Sequence, residues 1–317
     1  MYGYGYQYSA IISGGGNPAA AIFAAYKTRV LADGGVVEND ACTIAFLESI
    51  GAGIIPSFSF LLDTYSGAAA AYSLRKLRNA YSGDAIRVRR SSDNAELNIG
   101  FVSNELDTAS LTTFCSGTNG FVTTWYDQSG NGINATQTTA ANQPQIVSSG
   151  ALLTLNGKPK ISLDGTNDFL SISSFNYAAS NYNSFVGSRD VAGRRLFGLA
   201  GTGGLQYLFG LLTDNKYYLQ NNTPGYQLSD ATDTTIAQVL LTGLRDGAGT
   251  QIIYKNSNVI ASTIIALSMN NAINSIGLYS ASIHSHCNLQ EIIYYNLDNS
   301  TNRAAIETNI NTYYGVY

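Results

Sequence analysis

From Ala85 onward, apolar and polar residues alternate in short runs, as they do in strands with one buried face. The predicted strands are Ile86–Arg89, Leu97–Val102, Gly120–Tyr126, Lys160–Leu163, Phe169–Ile172, Leu196–Ala200, Tyr207–Leu212, Ile236–Leu241, Thr250–Tyr254, Ser275–Tyr279 and Glu291–Tyr295. Turn signals such as Asp164-Gly165 and Asp246-Gly247 separate them. So many short strands with little helix between them predict a mainly β fold, an antiparallel two-sheet jelly-roll sandwich.

Helical patterns occur before and after this β region. Asn17-Pro18 predicts the start of one helix, and a second short helix is predicted over 40–51. Because these elements are too small to hold a core, we interpret residues 1–66 as an N-terminal arm and a helical attachment module. The second predicted domain, residues 67–317, contains the sandwich.

Two further helices are predicted at the borders of the sandwich. Ser66 would cap a helix with Leu74, Leu77 and Tyr81 on one stripe. Ser300 would cap a closing C-terminal helix that ends at Gly315. The residues predicted to share one side of the closing helix are Ile306, Ile310, Tyr313 and Tyr314.

The first eight residues place a tyrosine at every second position. Tyr2, Tyr4, Tyr6 and Tyr8 would share one face of an extended chain. We interpret this run either as an assembly arm that docks on a neighbouring chain or as a disordered glycine-rich tail. The first reading predicts a homo-oligomer, a dimer or a trimer.

Composition narrows the classes of partner. Only 12% of the residues are charged, the net charge is −4 and the pI is about 5.1. Nucleic acid is therefore not an expected partner, because phosphate binding needs an excess of Lys and Arg. A neutral surface rich in amide, hydroxyl and phenol groups suits protein packing or sugar contacts. We expect neither a signal peptide nor membrane insertion, since glycine and proline break the uncharged N-terminal run.

Cysteine and histidine give no strong signal for a metal. Cys42, Cys115 and Cys287 are odd in number and widely spaced, which fits neither a disulfide framework nor a zinc site. His284 and His286 would share a strand face, but a third ligand is not evident. No cofactor is expected, apart from the calcium considered below.

The segment Gly120 to Gly132 brings the single tryptophan next to a polar turn. Trp125, Tyr126, Asp127 and Asn131 are therefore the candidate carbohydrate-binding residues. Of the two roles, we expect Trp125 to fill the interior of the sandwich and the turn from Asp127 to Gly132 to shape one rim.

The same turn resembles the opening of a calcium loop. Asp127, Ser129 and Asn131 offer side-chain oxygens at alternate positions, but the twelfth position holds Thr138 rather than a glutamate. The alternative is that Asp127 and Asn131 form hydrogen bonds within their own turn.

Two groups of charged residues have a chemical and a structural interpretation. Six basic residues could form an anion site, although a solvated face paired with Asp84, Asp93 and Glu96 is favoured. These basic residues are Arg75, Lys76, Arg78, Arg87, Arg89 and Arg90. Glu291 lies in an alternating strand, where we expect a cross-strand role rather than catalysis.

Several runs in the first half of the sandwich resemble a known enzyme family. The runs IRVRRSSDNAELNIGF, TFCSGTNGFVTTWYDQSGNGINATQ and GKPKISLDGTNDFL are similar to the catalytic domain of the α-L-arabinofuranosidase B family, over roughly Tyr72 to Leu170. The resemblance implies a concanavalin A-like sandwich and glycoside hydrolysis. Hydrolysis needs two facing carboxyl groups, for which Asp127 is the best candidate by position.

A second resemblance leads to a different function. The closing strand and helix resemble laminin-G-like domains of tailed-bacteriophage structural proteins, and the N-terminal module resembles phage virion proteins. This implies a virion protein made in the host cytoplasm and anchored to other virion proteins, with placement in a head fibre or capsid decoration favoured over the tail.

Its lectin-like sandwich would bind host or mucosal glycans weakly and multivalently. We take this reading as the main prediction. The alternatives are an arabinofuranosidase-like hydrolase and a purely structural decoration without ligand.

Overall fold

A computed structural model gives the architecture of one of the two units into which the chain divides, residues 60–317. Within that unit it describes every residue except 177, 179, 202–206, 222–231, 265–271 and 281. The tyrosine arm with Tyr2, Tyr4, Tyr6 and Tyr8, the two helices predicted within residues 1–59, and Cys42 lie outside the described residues.

The first half of the described chain contains strands β1 to β12. They are β1 (Ala70–Ser73), β2 (Ile86–Arg90), β3 (Glu96–Ile99), β4 (Phe101–Val102), β5 (Glu105–Leu106), β6 (Gly120–Trp125), β7 (Ala135–Thr136), β8 (Gln145–Ser148), β9 (Ala151–Leu152), β10 (Thr154–Leu155), β11 (Lys158–Pro159) and β12 (Ile161–Asp164).

The second half contains β13 to β24. They are β13 (Leu170–Asn176), β14 (Asn181–Ser188), β15 (Leu196–Ala200), β16 (Tyr207–Leu211), β17 (Tyr217–Asn221), β18 (Val239–Arg245), β19 (Thr250–Lys255), β20 (Asn258–Ile264), β21 (Ala272–Ile276), β22 (Leu278–Ser280), β23 (Ile283–His284) and β24 (His286–Tyr295). The helices are α1 (Leu61–Thr64), α2 (Thr108–Phe114) and α3 (Arg303–Tyr314), with a 3-10 turn at Ala140–Asn142.

Among the described residues, eighteen strands join into one antiparallel hydrogen-bonded network. One branch of it runs β1–β24–β14–β18–β19–β20. The other runs β3–β2–β6–β7–β13–β21–β15–β16–β17. The branches face each other, since aromatic rings from the two meet between them. Phe185 of β14 packs edge-to-face on Phe209 of β16 with 5.4 Å between ring centres, and Phe175 of β13 packs at a tilt on Tyr294 of β24 with 5.3 Å between ring centres. The mainly β, two-layer prediction is confirmed.

The central strand β24 is buried along nearly its whole length. Ile292 and Tyr294 face the core between the layers, whereas Ile293 and Tyr295 face a second apolar cluster under α3. A strand covered on both faces needs apolar residues at consecutive positions, and for this reason it lacks clean alternation.

Helix α3 closes the outer face of this strand. Ile306, Ile310 and Tyr314 are buried in the cluster that it covers. Gly315 ends the helix in the left-handed region, with φ of 60°, as the sequence predicts. The helix begins after Asn302 rather than at Ser300.

One predicted helix is wrong, and one observed helix was not predicted. The segment after Ser66 forms strand β1, because its backbone pairs with β24 from Ala70 to Ser73. Tyr72 faces one apolar cluster and Ala71 the other, so sheet pairing overrides the helical spacing. Helix α2 was not predicted, and Asp107 caps it by accepting a hydrogen bond from the backbone N–H of Ser110 at 3.0 Å. In the part of the chain that is described, every helix is too short or too polar to cross a membrane.

Candidate functional site

The turn after β6 is built around the buried carboxylate of Asp127. Its Oδ1 accepts hydrogen bonds from the backbone N–H groups of Ala71 and Ser129, both at 2.9 Å. Its Oδ2 accepts from the Ser129 hydroxyl at 2.7 Å and from the backbone N–H of Ile133 at 3.1 Å. Four donors, three from the turn and one from β1, therefore surround this carboxylate and tie the turn to β1.

Gln128, for which the sequence suggested no role, fastens the same region. Its side chain is fully buried, and its Oε1 accepts from the backbone N–H of Leu77 at 2.8 Å. Its Nε2 donates to the carbonyls of Ser73 at 3.1 Å and Arg75 at 3.0 Å. A buried amide has no spacing pattern of its own, so only the folded chain identifies it.

The other predicted polar residues of the turn also have partners. Asn131 Nδ2 donates to the carbonyls of Ala68 and Ala69, both at 3.0 Å. The Tyr126 hydroxyl donates to Asn98 Oδ1 at 3.1 Å. These contacts attach the turn to its neighbours on both sides.

Trp125 occupies the interior of the sandwich. It is 0% exposed, and its ring lies 5.8 Å from the ring of Tyr72 at a tilted angle. The interior role is confirmed, and the assignment of Trp125, Tyr126, Asp127 and Asn131 to a sugar site stays a prediction.

The predicted calcium ligands share this turn, but their oxygens are already used. Asp127 accepts four hydrogen bonds, and the Ser129 hydroxyl accepts from the backbone N–H of Asn131 at 3.2 Å. No group of three or more His, Cys, Asp or Glu suited to a metal occurs among the described residues. Calcium at Asp127, Ser129 and Asn131 stays a prediction, and binding would require several of these bonds to break.

A second aspartate turn connects β12 to β13. Asp164 Oδ1 accepts from the backbone N–H groups of Thr166 at 2.8 Å and Asn167 at 3.3 Å. Asp168 Oδ2 accepts from the backbone N–H of Asp164 at 3.1 Å. The two carboxyl groups therefore belong to one tight loop, with Asp168 buried and Asp164 exposed.

The two carboxyl groups have opposite pKa shifts. Burial, and after it the charge of Asp164, raises the pKa of Asp168 to about 7. Burial alone would raise the pKa of Asp164, but hydrogen bonds from its turn outweigh burial and hold that pKa below the usual value. Near neutral pH, the loop thus offers one carboxyl group that keeps a proton and one that is ionised.

Asp168 lines a cavity of about 300 Å³ beside β6, β8 and β12. The lining residues are Phe121, Ala140, Ala141, Gln143, Gln145, Ser162, Asp164 and Asp168. Ligand pockets start at roughly this volume, so the space suits one sugar ring. An aromatic ring, amides, a hydroxyl and carboxyl groups can stack on a sugar and bind its hydroxyls.

Arg89 forms hydrogen bonds with two of the residues that line this cavity, Gln143 and Ala140. Its Nε donates to Gln143 Oε1 at 2.6 Å, and one of its terminal nitrogens donates to the carbonyl of Ala140 at 3.2 Å. Its guanidinium lies 5.0 Å from the ring centre of Phe121. Arg89 is therefore nearly buried and positions these lining residues, whereas the sequence favoured a solvated face for it.

His286 lies beside the loop, because its Cα pairs with that of Asp164. Gly165 has φ of 75°, and a Cβ built there would lie 2.5 Å from the Cβ of His286. This close approach requires glycine. Cys115 and Cys287 are free and buried, and burial raises the pKa of Cys287 to about 12, so this thiol is unreactive.

The charged residues divide into two groups. Arg87 pairs with Glu96 and Arg90 with Asp93 on the surface, as predicted. The prediction of a solvated face is wrong for Arg75, because it forms a buried ion pair with Glu291. Arg75 Nε lies 2.8 Å from Glu291 Oε2, and another guanidinium nitrogen lies 3.0 Å from Oε1. The cross-strand role expected for Glu291 is confirmed.

Comparison with known proteins points to one enzyme class. Residues 63–168 match the sequence family described as alpha-L-arabinofuranosidase B, catalytic. The matched segment is about a third of the chain and contains both aspartate turns. The resemblance predicted over Tyr72 to Leu170 is confirmed. No curated protein matches the sequence significantly.

Solved structures agree on the fold. An arabinofuranosidase complexed with arabinofuranosyl-α-1,2-xylobiose superposes with a TM-score of 0.60 at 17% identity. A GH54 α-L-arabinofuranosidase variant soaked with 4-nitrophenyl α-L-arabinofuranoside gives 0.61 at 18% identity. In both cases 77% of this chain aligns with 62% of the other. The chain thus spans less than two thirds of the length of these enzymes and shares their sandwich.

These matches correct the main functional prediction. Assignment to a bacteriophage particle, as a head fibre or capsid decoration, is wrong, because the matched family is the alpha-L-arabinofuranosidase B catalytic domain and the solved structures that share the fold are arabinofuranosidases. Fold likeness does not carry function with it.

Proposed function

We propose that this chain is an arabinofuranosidase-like glycoside hydrolase. The observation that supports this proposal most directly is the family match over residues 63–168, a segment that also lines the cavity holding Asp164 and Asp168. The substrate class inferred from the matched family is the α-L-arabinofuranosides.

The carboxyl pair suits the chemistry of glycoside cleavage. Asp168 keeps its proton up to about pH 7 and can donate it to the leaving oxygen as the glycosidic bond breaks. Asp164, with its lowered pKa, is ionised and can stabilise the positive charge that develops on the sugar. Water then adds to the sugar carbon and returns a proton to the site, which completes hydrolysis.

The cavity walls supply the remaining functions. Phe121 offers a ring against which a sugar can stack, and Gln145 and Ser162 offer hydrogen-bonding groups. Arg89 fixes the wall through Gln143, which leaves the amide little freedom to move.

Release of 4-nitrophenol from 4-nitrophenyl α-L-arabinofuranoside tests the proposal. We expect measurable turnover that falls as pH rises through about 7, because Asp168 then loses its proton. Asp168→Asn should lower kcat by about 10²–10⁴-fold, the usual contribution of a general acid.

Asp246→Asn is the matched control. Asp246 also accepts backbone hydrogen bonds in a tight turn, from Ala248 at 2.9 Å and Thr250 at 2.8 Å, but it does not line the cavity. Its variant should keep wild-type turnover. No release by folded wild-type protein across a broad panel of aryl glycosides would refute the hydrolase proposal.

A further inference from the structure

The residue that follows Asp168 is held through both polar groups of its backbone. The backbone N–H of Phe169 donates to the carbonyl of Asn142 at 3.2 Å, and its carbonyl accepts from Gln137 Nε2 at 3.1 Å. Strand β13 starts at the next residue, Leu170. These two bonds therefore fix the chain at the point where it leaves the Asp168 loop and enters the sheet.

Gln137 lies directly after β7, which sets its position. Thr136 pairs with Ser171 of β13, and β7 also pairs with β6. The backbone N–H of Gln137 donates to the carbonyl of Thr123 at 2.9 Å. The side chain of Gln137 is nearly buried, and its Oε1 accepts from the backbone N–H of Thr139 at 3.0 Å. Because both ends of this amide have partners, the side chain has one preferred orientation.

Two further side chains hold Gln137 from behind. Gln143 Nε2 donates to the backbone carbonyl of Gln137 at 2.9 Å, and Gln143 Oε1 accepts from Arg89 Nε at 2.6 Å. Arg89 also donates to Asn94 Oδ1 at 2.8 Å and to the carbonyl of Ala140 at 3.2 Å. Connected hydrogen bonds in a buried setting favour a single arrangement of their side chains.

Asp168 has little else to keep it in place. Among the described residues, its carboxyl group accepts one hydrogen bond, from the backbone N–H of Asp164 at 3.1 Å. Burial is the first cause of its raised pKa. If the loop moved outward, water would reach the carboxyl group and that cause would weaken. The position of the loop therefore decides whether Asp168 keeps its proton near neutral pH.

We infer that Gln137 is a positioning residue for Asp168, and that Gln143 and Arg89 hold Gln137 in place. Gln137 does not line the cavity, so it acts through the Asp168 loop and not by contact with a sugar. The consequence for catalysis rests on the proposed function, in which Asp168 donates the proton.

Gln137→Met tests this inference. It keeps the length of the side chain and every backbone bond but removes the bonds to Phe169 and Thr139. In a carbon-detected NMR titration, the pKa of Asp168 should fall from about 7 to below about 6. With 4-nitrophenyl α-L-arabinofuranoside, kcat should fall about 10–100-fold while KM changes less than about threefold, because the cavity lining is intact.

Gln128→Met is the matched control. Gln128 is also a buried glutamine, and its side chain forms three hydrogen bonds with the backbone, to Leu77, Ser73 and Arg75. This variant should lose stability but keep the wild-type pKa of Asp168 and the wild-type kcat, measured well below its melting temperature. The control separates positioning of Asp168 from a general loss of stability.

Arg89→Lys tests the other end of the network. It keeps the positive charge but cannot make all the bonds to Gln143, Asn94 and Ala140, so the pKa of Asp168 should fall in the same direction by a smaller amount. This variant decides the question if Gln137→Met does not fold. An unchanged pKa of Asp168 in folded Gln137→Met, or an equal fall in Gln128→Met, would overturn the inference.

The outcomes also separate this inference from the proposed function. A lowered pKa of Asp168 in Gln137→Met, without glycoside turnover by wild type, would leave the positioning role standing and remove the hydrolase. Turnover by wild type, with the pKa of Asp168 and kcat unchanged in Gln137→Met, would do the reverse.

Discussion

The turn at Asp127 and the turn at Asp168 each bury an aspartate, but the two carboxyl groups have different hydrogen-bond partners and different charged neighbours. Asp127 accepts four hydrogen bonds, whereas Asp168 accepts one from the backbone N–H of Asp164 and has a charged neighbour. Burial and the neighbouring charge of Asp164 favour the protonated form of Asp168. The groups around a buried carboxyl group therefore decide whether it holds a turn together by hydrogen bonds or serves as an acid.

The largest loss of stability should come from removing the Asp127 carboxyl group. Asp127→Ala leaves the backbone N–H groups of Ala71, Ser129 and Ile133 without an acceptor, so we expect the free energy of unfolding to fall by about 3–4 kcal/mol. Urea denaturation measures this loss. Asp127→Asn retains one oxygen and should cost about half as much. A loss below about 1 kcal/mol for the alanine variant would mean that the four bonds contribute little.

The next largest effect is on how stability changes with pH, through Asp168. The pKa of Asp168 is about 7 in the folded protein and 3.8 in an ordinary aspartate, so the folded state holds this proton more tightly. Its contribution to stability is therefore complete below about pH 4 and is lost as pH rises through 7. We expect Asp168→Asn to gain about 2 kcal/mol relative to wild type between pH 4 and pH 8. Parallel stability curves for the two proteins would contradict the raised pKa.

A smaller effect should follow from the neighbouring charge. Asp164→Asn removes the second cause of the raised pKa of Asp168 but leaves burial, the larger cause, in place. The pKa of Asp168 should move down but remain above 3.8. Carbon-detected NMR titration of the Asp168 carboxyl group measures it. An unchanged value would assign the whole shift to burial.

Calcium should have the smallest effect. Because the oxygens of Asp127 and Ser129 already accept hydrogen bonds, we expect the melting temperature to stay constant when about 1 mM calcium is added. A rise of several degrees that disappears in Asp127→Asn would instead establish the calcium site.

Each of the eleven strands predicted from the sequence overlaps an observed strand, although the described residues form 24 strands and several, including the buried β14, were not predicted. Gly120 to Trp125 and Leu196 to Ala200 were placed within one residue of their observed ends. The short strand β1 was not, because Ala70 to Ser73 takes its conformation from pairing with β24. Pairing between residues more than 200 positions apart leaves no local trace.

The candidate site was predictable only in part. Asp164-Gly165 was recognised as a turn, and the acidic character of the loop is visible in the sequence. The raised pKa of Asp168 depends on burial in the folded sandwich, and the role of Arg89 depends on Gln143 meeting it from a distant segment. Such contacts between separate segments, rather than local pattern, give the cavity its chemistry.

The ion pair between Arg75 and Glu291 bears on how the protein is made. It joins the segment just after the first strand of the sandwich to its last strand, and the Tyr314 hydroxyl on α3 lies 3.2 Å from Glu291 Oε2. During synthesis, β1 must wait for β24 and α3 to leave the ribosome before it finds its partners. Until then, Arg75 and the apolar strands beside it stay exposed on the nascent chain, where chaperones would be expected to bind.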